Sequence, residues 1–138
     1  MKIAIDFDGV IHWYRPHTRG LGAHVIADEP VPGAIEWLNG LHEAGHEVTI
    51  FTCRMNPHCG TVWRAALEWL VSHGLVFAPP ITAVKPHADI YIDDRGYRFE
   101  GRFPSTAELE ALAAHRWQDV SHGAQPDEEG IPSTDPAE

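Results

Sequence analysis

Short apolar segments that end in polar residues alternate with segments of helical periodicity along this chain. The apolar segments cover residues 2–7, 47–52 and 89–92, with a shorter candidate at 81–84. Runs of this length, bounded by turn residues, are typical of buried β-strands. Apolar residues recur at helical spacing over residues 34–42 and 59–72, between these strands. Alternation of strands and helices predicts an α/β fold with a mainly parallel sheet.

The remaining segments are read from turn and cap signals. Residues 10–27 mix apolar residues with His, Arg and Gly, and are predicted to form a protruding loop or hairpin. Gly45 is a stop signal for the first helix. A last helix is predicted at 106–117, because Ser105 is a suitable cap and Glu108 completes a capping box.

Polar side chains follow three of the predicted strands, at the point where each strand ends. Parallel strands place their carboxyl ends at one edge of a sheet, where open α/β sheets bind ligands. We therefore expect residues that are distant in sequence to meet at one site. They are Asp6 and Asp8 after the first strand, Thr52, Cys53 and Arg54 after the second, and Asp93 and Asp94 after another.

Four carboxylates in one pocket would repel each other strongly. Like charges about 4 Å apart cost roughly 4 kcal/mol per pair at an effective dielectric constant of about 20. A hard divalent cation with oxygen ligands removes this cost, and Mg²⁺ suits such ligands. The sequence therefore predicts a magnesium site formed by Asp6, Asp8, Asp93 and Asp94.

Lys85 and Thr52 offer what a phosphate group needs, a compact positive charge and a hydroxyl donor. A carboxylate nucleophile splits the slow hydrolysis of a phosphate monoester into two easier steps. A second carboxyl group two residues further on is able to protonate the leaving alcohol and then deprotonate water. Asp6 and Asp8 have this spacing.

Four segments resemble the four motifs of the haloacid dehalogenase (HAD) superfamily in their order and strand context. They are Asp-Phe-Asp-Gly-Val at 6–10, Ile-Phe-Thr at 50–52, Lys85, and Ile-Asp-Asp at 92–94. The resemblance covers residues 3–94 and implies a three-layer Rossmann-like core. The paired aspartates favour a phosphatase, since the dehalogenases of the superfamily lack the second one.

The resemblance also implies a role for each matching residue. Asp6 would be the nucleophile and a metal ligand, and Asp8 the general acid and base, with its backbone carbonyl on the metal. Thr52 would hold the phosphoryl oxygens, and Lys85 would stabilise the charge of nucleophile and phosphate. Asp93 would bind Mg²⁺ directly, and Asp94 directly or through water.

Members of this superfamily often carry a cap domain after the first or second strand. Residues 9–47 and 53–84 have no room for a full cap beside the predicted elements. The resemblance therefore implies a capless member with an open site. Such sites often serve bulky substrates or rely on a partner subunit, so we expect a homo-oligomer that closes the site as one arrangement.

Two substrate classes stay open at this point. One is a phosphorylated small molecule, such as a nucleotide or sugar phosphate. The other is a nucleic-acid 3′-phosphate end, because Thr52, Cys53 and Arg54 resemble the Ser/Thr-x-Arg turn of polynucleotide kinase-phosphatases. These three residues are the predicted substrate-binding residues.

Two functions of other classes are alternatives. A non-catalytic module that binds a phosphoryl ligand on a HAD scaffold is one. A receiver domain is the other, but its lysine follows its acids, whereas Lys85 precedes Asp93 and Asp94.

Composition sets limits on the cellular setting. The net charge is −10, which argues against broad nucleic-acid binding. We predict a phosphatase domain at 1–120 and an acidic, disordered tail at 121–138. The sequence contains two cysteines and no long apolar run, so a cytoplasmic protein without membrane association is expected. The spacing of Cys53, His58 and Cys59 fits no common zinc pattern.

Overall fold

The structure, a computed structural model, describes residues 1–55 and 60–115. Seven regular elements follow one another in these residues, besides a short 3₁₀ helix at Pro16–Thr18. They are β1 (Lys2–Asp6), α1 (Ala34–Glu43), β2 (Glu47–Phe51), α2 (Gly60–Ser72), β3 (Ile81–Thr82), β4 (Ile90–Ile92) and α3 (Thr106–Ala114).

The four strands form one parallel sheet in the order β3-β2-β1-β4. Ile5 of β1 lies opposite Ile50 of β2 on one side and Ile92 of β4 on the other. The next residues along β1 and β4 are Asp6 and Asp93, so both carboxylates leave the sheet at the same edge. The predicted fold class, α/β with a mainly parallel sheet, is confirmed.

The hydrophobic core lies on one face of this sheet. Alternate residues of a strand point to the same face, so Ile3 and Ile5 share a face with Val48 and Ile50. Helices α1 and α2 cover that face with buried apolar side chains, Ile35, Leu38, Ala66 and Leu70. Fully burying one such aliphatic side chain contributes about 1.5–3 kcal/mol, and this packing fixes the strands that carry the polar ends.

The opposite face carries Ala4, Phe51 and Tyr91. A cavity of about 710 Å³ lies along it, and both Phe51 and Tyr91 contribute to its lining. Helix α3 forms with the predicted capping box of Ser105 and Glu108, but all its residues are exposed.

Element boundaries agree with the sequence patterns to within a few residues. Helix α1 ends where Gly45 adopts a φ of 80°, a left-handed conformation that glycine reaches without strain. The strand predicted at 81–84 is reduced to Ile81–Thr82. Some of the predicted features lie outside the described residues. They are residues 116–117 of the last predicted helix, His58, Cys59 and the tail at 121–138.

The segment between β1 and α1 is a loop, not a hairpin, and we call residues 13–29 of it the flap. Its backbone forms single bridges at Asp8–His12 and His12–Pro30, and no named strand. Buried Asp28 organises the flap, since its Oδ2 accepts from the backbone N–H of Arg15 at 2.7 Å and from Oγ1 of Thr18 at 2.6 Å.

Within residues 1–55 and 60–115, no helix combines the length and the apolar character that a membrane span needs.

Candidate active site

A tight turn after β1 presents Asp6 and Asp8. The carbonyl of Phe7 accepts from the backbone N–H groups of Ile11 at 3.0 Å and His12 at 2.9 Å. This turn requires a positive φ at Gly9, where φ is 86°. Phe7 is fully buried in the core, whereas its neighbours on both sides, Asp6 and Asp8, are only partly buried.

A cavity of about 500 Å³ lies at this edge, between the ends of the strands and the flap. The strand ends contribute polar side chains, and the flap contributes one aromatic ring and several small residues. The lining residues are Asp6, Asp8, Tyr14, Thr18, Gly20, Leu21, Gly22, Ala23, Phe51, Cys53, Arg54, Asp93 and Arg95.

Three carboxylates form a cluster at this edge of the sheet, and two of them, Asp6 and Asp93, line the cavity. Asp6, Asp93 and Asp94 each place one oxygen within 4.8 Å of the other two. Burial, together with the charges of Asp93, Asp94 and Asp8, raises the pKa of Asp6 to about 7, although a hydrogen bond from the N–H of Phe7 opposes the shift. A set of oxygen ligands that repel each other at this spacing is the donor chemistry that fits Mg²⁺.

The carboxylate of Asp8 lies between two donors. Nδ1 of His12 lies 2.8 Å from Oδ1, and Nε of Arg54 donates to Oδ2. Burial favours a higher pKa for Asp8, but these two hydrogen bonds outweigh it, and the pKa of Asp8 lies below its ordinary value. Asp8 is therefore a carboxylate at neutral pH in this arrangement.

Arg54 connects Asp8 to the flap. Its Nη1 group donates to the backbone carbonyls of Val25 at 2.7 Å and Ala23 at 3.2 Å. Its guanidinium lies 5.1 Å from the centroid of the Tyr14 ring, a cation–π distance. Tyr14 has a φ of 51°, which is rare for a residue with a side chain and is often associated with functional sites.

Thr52 and Cys53 differ in their access to the cavity. Thr52 is buried, and its Oγ1 accepts from the N–H of Arg54 at 3.2 Å, which fixes the turn after β2. Cys53 is exposed and lines the cavity.

Lys85 is not among the lining residues of the cavity of about 500 Å³. It is exposed and lines the neighbouring cavity of about 710 Å³, to which Asp6 and Asp93 also contribute. Its ammonium lies 4.8 Å from the centroid of the Tyr91 ring. Among the hydrogen bonds and ion pairs of the described residues, none joins Lys85 to Asp6.

Some residues at the site had no sequence signal that would assign them a part in it. His12 and Asp28 are buried, but no spacing rule connects them to Asp8. Arg95 lines the cavity, and its N–H donates to Oδ1 of Asp93 at 2.8 Å. Nothing in the sequence distinguishes Arg95 from the other arginines, and the fold of the acidic turn places it at the site.

Comparison with known proteins gives two similarities and one negative result. A protein of Chlorobaculum tepidum named "Putative 5′(3′)-deoxyribonucleotidase" is 34% identical over 110 residues. The alignment covers 67% of this chain and 54% of the relative, so the chain spans about half of that protein's length. A conserved protein of Bacteroides thetaiotaomicron has a solved structure with 27% sequence identity and a TM-score of 0.52, covering 88% of this chain and 97% of that chain. No family model matches the sequence.

Proposed function

We propose that this chain is a Mg²⁺-dependent phosphomonoesterase of the HAD type, which acts through a phospho-aspartate on Asp6. One observation carries the proposal: Asp6 and Asp8 line a single cavity together with Arg54, and Asp6 belongs to an acidic cluster with Asp93 and Asp94. The similarity to a protein named as a nucleotidase supports the same reaction class.

Asp6 is the nucleophile in this proposal. One oxygen of its carboxylate accepts from the N–H of Phe7 at 2.8 Å, which orients the group and leaves the other oxygen for attack. Attack on phosphorus forms the bond between Asp6 and the phosphoryl group and breaks the bond to the leaving oxygen, which takes a proton from Asp8.

Water completes the reaction. It attacks the phosphorus of the phospho-aspartate, its proton goes to Asp8, and the bond between Asp6 and phosphorus breaks to release phosphate. Asp8 therefore acts as an acid in the first step and as a base in the second. Its two hydrogen bonds, from His12 and Arg54, prepare it as the base.

Arg54 contacts Asp8 and also lines the cavity, so it is positioned to contact a phosphate bound there. A phosphate dianion in the cavity competes with Asp8 for the Arg54 guanidinium, since bidentate arginine–phosphate pairs are strong. Loss of that donor raises the pKa of Asp8 and favours the protonated form that the first step needs.

Magnesium would be held by Asp6, Asp93 and Asp94, with the backbone carbonyl of Asp8 as the further ligand that the resemblance suggests. When bound, the ion neutralises the charge that accumulates between these carboxylates and the phosphoryl oxygens.

The size of the cavity favours a small phosphomonoester. A volume of about 500 Å³ lies within the range of small-molecule sites, and the flap closes one side. Together with the name of the Chlorobaculum tepidum relative, this supports a nucleoside monophosphate as the substrate class. A nucleic-acid 3′-phosphate end is the second candidate, favoured by Arg54 and Arg95 in the lining. Closure of the site by a second copy of the chain stays a prediction.

Phosphate release from a substrate panel tests the reaction. Nucleoside 5′- and 3′-monophosphates, ribose 5-phosphate and a 3′-phosphorylated oligonucleotide are compared with Mg²⁺ and with EDTA. We expect turnover of mononucleotides that EDTA stops and Mg²⁺ restores. Faster release from the oligonucleotide would replace the first substrate class with the second.

The variant Asp6→Asn tests the covalent step, with Glu36→Gln on the exposed face of α1 as control. Asp6→Asn should lose turnover and the phosphoryl mass increment that mass spectrometry detects on a quenched wild-type protein. Retained turnover in Asp6→Asn would contradict the nucleophile. Ligand binding without turnover in the wild type would favour the non-catalytic module.

A further inference from the structure

His12 is a completely buried histidine that touches Asp8 but does not line the cavity. Its ring lies between aromatic neighbours, with centroids 5.5 Å from both Phe7 and Trp69. Its backbone is fixed as well, because its N–H donates to Phe7 and its carbonyl accepts from Gly9 at 2.8 Å. The ring therefore has a defined position relative to Asp8.

The hydrogen bonds of the ring determine which nitrogen carries the proton. Nε2 lies 3.1 Å from the backbone nitrogen of Asp28, which is able only to donate. Nε2 must accept this bond and is unprotonated. In the neutral ring the proton is then on Nδ1, which lies 2.8 Å from Oδ1 of Asp8 and donates to it.

The carboxylate of Asp28 does not change this assignment. Its Oδ2 lies 3.9 Å from Nε2, beyond hydrogen-bond distance, and accepts from Arg15 and Thr18. The side chain of Asp28 is thus held within the flap by Arg15 and Thr18. The backbone N–H of Asp28 donates to Nε2 of His12, and Nδ1 of His12 donates to one oxygen of Asp8.

We infer that His12, as the neutral Nδ1–H tautomer, is a positioning residue that holds the Asp8 carboxylate in place for proton transfer. This inference rests on the proposed function, in which Asp8 takes a proton from the attacking water. It predicts that loss of the Nδ1 donor slows hydrolysis of the phospho-aspartate more than its formation, because Asp8 acts as base in that step. His12 itself exchanges no proton with the substrate.

Two amide variants separate the two hydrogen bonds. In His12→Asn the amide nitrogen lies as many bonds from Cβ as Nδ1 does, so a donor to Asp8 is kept. The acceptor at the position of Nε2, which pairs with the Asp28 N–H, is lost. In His12→Gln the amide oxygen lies as many bonds from Cβ as Nε2 does, so an acceptor for the Asp28 N–H is kept, but no donor remains at the position of Nδ1. Both remove the ring, so the loss of aromatic packing is common to the pair.

We expect kcat of His12→Gln to fall roughly tenfold to a hundredfold, a share of the 10²–10⁴ that general acid–base catalysis typically supplies. The phosphorylated fraction of the enzyme at steady state should rise. His12→Asn should recover most of the loss in kcat. Equal loss in both variants with an unchanged phosphorylated fraction would show a merely structural role and overturn the inference.

A measurement on the unsubstituted protein covers the case in which a variant does not fold. Nitrogen-15 NMR of labelled histidines distinguishes the two tautomers. The His12 signal is assigned among the ten histidines by its absence in a folded variant. If no variant folds, through-space contacts of the His12 ring protons with Phe7 and Trp69 assign it. An Nε2–H tautomer would overturn the inference. Absence of any turnover in the wild type would instead overturn the proposed function. The positioning role of His12 in that reaction would then be overturned as well.

Discussion

The Nε group of Arg54 donates to Oδ2 of Asp8, and both side chains are only about one tenth exposed. The same guanidinium holds two carbonyls of the flap. One side chain therefore connects the end of β2, the turn after β1 and the wall of the cavity. Its removal should affect both stability and catalysis.

Arg54→Ala should lower the free energy of unfolding by about 1–3 kcal/mol, the usual cost of losing hydrogen bonds to a charged, largely buried group. In the proposed reaction, kcat/KM should fall at least about tenfold, since the phosphate also loses a charged donor. Urea denaturation and steady-state kinetics measure the two effects. Arg64→Ala on the exposed face of α2 is the control, and an equal effect there would contradict the role of Arg54.

In metal-free protein, the Asp6 carboxyl should lower the stability as the pH rises from about 4 to about 7. The pKa of Asp6 is raised from its ordinary value of 3.8 to about 7, so ionisation of Asp6 is harder in the folded than in the unfolded protein. Between these values the unfolded state releases the proton first, and stability falls with pH before it levels off above about 7. Each unit of pKa difference corresponds to about 1.4 kcal/mol.

Melting temperatures of wild type and Asp6→Asn, measured in EDTA between pH 4 and 8, check this slope. The variant should show a flatter profile and the larger advantage at high pH, and added Mg²⁺ should reduce the difference. A wild type whose melting temperature rises steadily over the same interval, by more than the variant's, would contradict the assignment.

Tyr14 should contribute to recognition of the organic part of a substrate. Its ring lines the cavity with Arg54 on one side, so Tyr14→Ala should raise KM for a nucleoside monophosphate more than for glycerol phosphate. Tyr14→Phe keeps the ring and is the matched control. If both variants raise both KM values equally, the ring serves the flap and not the substrate.

The core should depend on α2 and hardly at all on α3. Leu70 is completely buried beneath the sheet, whereas Leu112 is 53% exposed. Leu70→Ala should cost about 2–5 kcal/mol of unfolding free energy, and Leu112→Ala within about 0.5 kcal/mol. Denaturant titration of both variants provides the measurement. A large loss at Leu112 would reveal packing of α3 in solution.

The sequence predicts the strands and helices well, because each has a clear apolar period and clear end signals. The positions of Asp6 and Asp93 follow from the parallel arrangement alone, since the ends of parallel strands share an edge. Ser105 and Glu108 are likewise predictable, because a capping box is a local interaction.

Contacts made far from the strand ends are harder to predict from the sequence. Lys85 follows the shortest strand, and no rule of periodicity fixes where its flexible side chain points. His12 and Asp28 meet through the path of the flap, whose backbone follows no repeating pattern. Their roles depend on contacts between segments, which a single sequence does not encode in any local signal.

The pairing of Ile5 with Ile92 has a consequence for how the protein holds together. β4 is an edge strand of three residues, and the acids that follow it lie beside Asp6 of the central strand. A cation bound by these acids would connect the edge strand β4 to the interior strand β1. Amide hydrogen exchange along β4 and metal affinity would then be thermodynamically linked, so that opening of this edge would weaken binding of the ion.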